Sequence, residues 1–104
     1  MWREDCLDRH AIGVDRIMWG SDFPHDEGTY PHSREAIANT FAGVPESEVA
    51  QMVGGTAAKL YGFDLDALTQ YATNGPIIDQ VAHGIEEMPD STSLAFEPRS
   101  WGVA

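Results

Sequence analysis

The sequence predicts an incomplete α/β fold that is mostly helical, and three observations predict it. Residues 3–12, REDCLDRHAI, place Cys6, Leu7, His10 and Ala11 at helical spacing, and Gly13 follows as a stop. VDRIMWG then reads as a short apolar strand closed by Gly20. Helix, glycine joint and strand make the αβ half of an α/β unit. No second strand is evident, although a run such as RIMWG suits a parallel sheet that buries both its faces. A strand without a neighbour marks the chain as part of a larger fold.

The remaining elements follow in order. Residues 21–32 form a polar loop containing Pro24, Gly28 and Pro31. Ser33 can cap a helix through REAIANTFA, with Glu35 near its positive end and Gly43 as its stop. VPESEVAQMV starts a second: Pro45 suits a first turn, and Glu46 and Glu48 suit the dipole. GGTAAKLYGF holds a third, capped by Thr56 and ended by Gly62, and DLDALTQYA makes a fourth that ends before TNGP. From Asn74 onward the pattern weakens. PIIDQVAHGI fits a strand or a helix, and EEMPDSTSLAFEPRSWGVA reads as an extended tail whose Pro89 and Pro98 oppose regular structure. The chain thus divides into residues 1–73 and a partly irregular extension, 74–104.

Composition narrows the partners. Across 104 residues, 6 Lys and Arg face 17 Asp and Glu, a formal charge of −11. That leaves no basic stripe for nucleic acid and disfavours an anionic membrane surface. The acidic residues are scattered and 42% of the chain is hydrophobic, which excludes a disordered acidic tail. No window approaches the ~18 apolar residues of a membrane span. Met1–Asp5 lacks the basic-then-apolar start of a signal peptide. The single cysteine, Cys6, can form no internal disulfide and has no zinc-cluster partners, so it reads as a small apolar filler. A reducing, cytoplasmic compartment is the expectation.

Asp22 is the residue most suggestive of chemistry. It stands just past Gly20, at the carboxyl end of the strand, where ligands bind in open α/β sheets. A carboxylate there can hold a divalent metal and accept a proton from metal-bound water. It can equally cap the following turn through nearby N–H groups. On spacing alone both readings stay open. His25, Asp26, Glu27 and His32 crowd the same loop, yet Gly28 and Pro31 separate the histidines beyond any compact zinc spacing. These read as solvated loop polarity, and His10 and His83 as structural or exposed. No nucleophile elbow, P-loop or HExxH motif is present. Gly54 and Gly55 lie between helices and not after a strand, so a phosphate cradle is not expected.

GVDRIMWGSDFPHDEGTYPHSREAI, followed by GGTAAKLYGFD, resembles the C-terminal end of amidohydrolase-related (amidohydrolase 2) proteins. These are metal-dependent (β/α)8-barrel hydrolases and carboxy-lyases, a group that includes aminocarboxymuconate-semialdehyde decarboxylase. The resemblance spans Leu7 to Leu68, and WGSDFPH is its most specific element. It implies a C-terminal fragment of a TIM barrel: the last strand, the helix before it and the helices after it. It also implies that Asp22 is the catalytic residue of that strand. There Asp22 would bind or adjoin a divalent metal, zinc by the resemblance, and move protons to and from metal-bound water or substrate. The loop around His25 and Tyr30 would border the substrate pocket. The family's His-x-His pair has no counterpart in this sequence. Catalytic zinc usually takes three protein ligands plus an open position, and a barrel needs ~250 residues. By itself the chain is expected neither to hold the metal tightly nor to catalyse.

Two functions follow. In the first, the chain is the C-terminal portion of a metal-dependent enzyme that hydrolyses or decarboxylates a small organic acid or amide. Its partner is then a small-molecule substrate, with no nucleic acid or membrane, and the tail can serve self-association. In the second, it is a non-catalytic helical module that packs on a partner, with Phe96 and Trp101 as aromatic anchors in a polar tail.

Overall fold

Helix α1 (Arg3–Leu7) opens the computed structural model, which describes residues 1–71, 84–87 and 89–96. It begins where the Trp2 N–H donates to the Asp5 carboxylate at 2.9 Å. Helix α2 (Arg9–Ile12) follows after a break, so the helix expected over 3–12 is two short ones. The break falls at Asp8 (φ −90°, ψ 9°), a residue type that competes poorly for helix interiors. Gly13 ends α2 at φ 109°, a region side chains disfavour.

The strand expected over VDRIMWG is not formed. Val14–Arg16 wind into a 3-10 turn, and the chain then runs on extended, with Ile17 at φ −108° and ψ 133°. Sequence sets this local conformation, but a strand exists only as one side of a hydrogen-bonded ladder. No strand pairs with Ile17–Gly20 among the described residues. The Trp19 N–H instead donates to the Met52 carbonyl at 2.9 Å.

Helix α3 (Ser33–Thr40) starts one residue earlier than expected, so Ser33 is its first residue and not its cap. The Ser33 hydroxyl is engaged with Thr29 Oγ1 at 2.8 Å. Gly43 (φ 77°) lies beyond the end of the helix, as expected. The carbonyls at and just beyond the end of α3 are taken by a distant side chain: the Arg3 guanidinium donates to Asn39, Thr40 and Ala42 at 3.0 to 3.3 Å. A cation suits this negative end of the dipole.

Pro45 immediately precedes α4 (Glu46–Ala50), which runs through a π-helical turn at Gln51–Gly55 into α5 (Thr56–Tyr61). Gly54 and Gly55 therefore lie inside a helical run. Thr56 is not a cap either, and its hydroxyl donates to the Val14 carbonyl at 3.5 Å. Gly62 closes α5 in the left-handed region at φ 72°, and Asp64 caps α6 (Leu65–Thr69) by accepting the Ala67 N–H at 3.1 Å. Gly62 was expected from sequence as the stop, and the fourth helix was expected without its cap being named.

Cys6, Ile37, Phe41, Val49 and Met52 form the core, with Ile17, Trp19 and Val53 packed against it. The Arg9 guanidinium ties α2 to α4 through Glu48 at 3.0 Å. Burial pushes the Cys6 thiol pKa up, against the pull of Arg9 and Arg3.

The tail is not extended throughout: Leu94–Phe96 makes a 3-10 turn. Phe96 is only 3% exposed and lies edge-on to the His32 ring, with centroids 6.0 Å apart. The aromatic that was to anchor a partner is instead buried in its own chain, because His32 offers a ring to pack on. His83 and Trp101 lie outside the described residues, as do residues 76–83 of the PIIDQVAHGI segment.

Candidate active site

The Trp19–Met52 bond docks the extended segment on the helical run and delivers Gly20, Ser21 and Asp22 to the surface. Asp22 has φ 55°, the only positive value of a non-glycine residue among those described. The left-handed region costs an L-residue ~1–2 kcal/mol, and Asp is among the few that tolerate it. Such outliers point to sites where function keeps the strain.

The loop then closes on itself. The His25 N–H donates to the Asp22 carbonyl, the Gly28 N–H to the His25 carbonyl and the Thr29 N–H to the Ser21 carbonyl, each at 2.9 Å. The Phe23 N–H reaches Ser21 Oγ at 3.4 Å. The turn after Asp22 is closed by its backbone carbonyl, and the residue itself is exposed. The sharp turn depends on Gly28. A Cβ there would lie 2.9 Å from the His25 carbonyl oxygen, 3.1 Å from that of Asp22 and 3.3 Å from that of Ser21.

Two cavities flank the loop. Trp19, Ser21, Asp22, Glu27 and Ala95 line one of about 200 Å³. Phe23, His25, Tyr30 and residues Ser91 to Leu94 line the other, about 410 Å³. The structure thus places Asp22 on one cavity and His25 and Tyr30 on its neighbour. Phe23 and Tyr30 meet edge-on with centroids 5.2 Å apart, forming an exposed aromatic wall.

Among the described residues no group of three or more His, Cys, Asp and Glu side chains could hold a metal ion. Asp22 shares its cavity with one other carboxylate, Glu27. This donor set does not fit a resident metal without further ligands. No helix among the described residues is long and apolar enough to cross a membrane.

Sequence reasoning missed three features: the left-handed Asp22, the close approach at Gly28, and residues Ser91–Ala95 as part of the site's walls. A glycine inside a polar loop hinted at the second. Nothing in the spacing ties residue 93 to residue 28.

A family model described as amidohydrolase matches residues 8–63, from just before α2 to just beyond α5. Comparison with curated proteins and with solved structures found no match.

Proposed function

The chain belongs to the amidohydrolase family, and from that premise we propose that it is the C-terminal portion of a metal-dependent (β/α)8-barrel enzyme. The observation that carries this reading is Asp22 itself, a carboxylate held left-handed at φ 55° on a cavity rim, directly after an extended apolar segment. Ile17–Gly20 would be the last barrel strand, whose neighbours come from other parts of the enzyme. The large apolar side chains exposed along α5 and α6 support burial in such an assembly.

The reaction is hydrolysis or non-oxidative decarboxylation of a small organic acid or amide. Asp22 acts as the general acid–base. In hydrolysis it takes the proton of the attacking water and returns it to the leaving group; in decarboxylation it exchanges a proton with the substrate. The family's divalent metal, zinc in this reading, would polarise the substrate or water. This chain offers it a carboxylate, and the remaining ligands belong to the rest of the enzyme. His25 and Tyr30, on the adjoining cavity, would border the substrate.

Two measurements test this. The native gene product, detected in its own cells with an antibody to the tail, should have a mass matching a complete barrel of ~250 residues or more. A mass equal to this chain alone would overturn the reading and favour the interaction module. In the complete enzyme, Asp22→Asn should lower kcat by about 10²–10⁴-fold, and unchanged activity would remove Asp22 from the mechanism.

A further inference from the structure

We infer that Ser91–Phe96 is a strap that clamps the Asp22 loop, with Ser93 as its positioning residue. The inference rests on the reading of Asp22 as the reactive carboxylate, because the strap matters to chemistry only through that loop.

The loop's own bonds tie Ser21 to Thr29, Asp22 to His25 and His25 to Gly28. The carbonyls of Asp26 and Gly28 are taken by the strap. The Leu94 N–H donates to the Asp26 carbonyl at 3.0 Å, and the Ser93 hydroxyl donates to the Gly28 carbonyl. A hydroxyl has one proton and two lone pairs. One lone pair of Ser93 accepts the Ala95 N–H at 3.2 Å, which aligns the proton on Gly28. The Ser93 N–H is in turn held by Ser91 Oγ at 3.1 Å.

The far end of the strap is fixed by Phe96, buried against His32 just before α3. Gly28 is the point where a pull on the loop would be felt most directly. The Gly28 N–H is bonded to the His25 carbonyl and the His25 N–H to the Asp22 carbonyl, so a shift of Gly28 is passed to Asp22 through two successive bonds, and the space beside Gly28 is too narrow even for a Cβ. The strap also stands between the two cavities. Ala95 lines that of Asp22, while Ser91, Ser93 and Leu94 line that of His25 and Tyr30.

Amide hydrogen exchange on the full chain tests the clamp without substrate or metal, so its failure is distinguishable from failure of the proposed function. Ser93→Ala should speed exchange of the His25, Gly28 and Thr29 amides about fivefold, the scale of one lost net hydrogen bond. The Phe41 amide, bonded to the Ile37 carbonyl inside the core, should be unchanged. The backbone chemical shifts of Asp22, which report its φ, should move in Ser93→Ala. Ser93→Thr keeps the hydroxyl and should restore both readouts. Three results would overturn the inference: unchanged loop exchange in Ser93→Ala, equal acceleration at Phe41, or no rescue by threonine.

Discussion

The helices within residues 33–53 and those within residues 56–71 both carry large apolar side chains, yet they use them in opposite ways. In the first stretch Phe41, Met52 and Val49 are fully buried. In the second Leu60, Tyr61, Phe63, Leu65, Leu68 and Tyr71 are exposed, Tyr71 by 81%. Helix ends are treated differently too. Distant side chains serve the first stretch, Arg3 on the carbonyls of α3 and Arg9 on Glu48 of α4. Local chemistry serves the second, through Gly62 and Asp64. Local signals are enough to shape a helix, but stability comes from packing it against something.

The largest effect should come from testing burial directly. In this chain alone, Phe41→Ala should cost ~3–5 kcal/mol in urea unfolding, as for a fully buried aromatic, whereas Phe63→Ala should stay within ~0.5 kcal/mol. An equal cost at Phe63 would break the contrast and mean that the α5–α6 face is covered in solution. Arg3→Met comes next, at ~1.5–2 kcal/mol, because one charged donor group serves three carbonyls. A negligible loss would mean that water satisfies the end of α3 equally well. Asp64→Ala is the smallest. It should remove ~1 kcal/mol of local helix stability, seen as faster exchange of the Ala67 and Leu68 amides. The midpoint of global unfolding should not move.

Where the sequence was legible, the controlling chemistry was local. Gly13, Gly43 and Gly62 stop helices because positive φ is a property of the residue itself. The Asp64 cap, not named from sequence, is local in the same way, its partner being three residues away. The matched family region, 8–63, also lies within the stretch whose motifs carried the resemblance. Where reading failed, the deciding partner was remote. VDRIMWG has strand-forming residues, but no other described segment forms a ladder with it. Ser33 and Thr56 look like caps, yet Thr29 and Val14 claim their hydroxyls. Phe96 looked free for a partner until His32 was placed beneath it. The site divides the same way. Asp22 at the end of an apolar run was visible, while its left-handed backbone and the strap that reaches Gly28 from Ser93 were not.

The buried thiol of Cys6 makes the core its own stopwatch. Burial raises its pKa, so the folded chain favours the protonated form more than the unfolded chain does. That contribution to stability is complete below the ordinary thiol pKa. It is lost as pH rises through the raised value, when the thiolate draws the chain toward unfolding. Because the thiolate is the nucleophile and this is the chain's single cysteine, an alkylating reagent can react only during an opening of the core. Each alkylated molecule then records one such opening, and the kinetics of labelling time the core without any added probe.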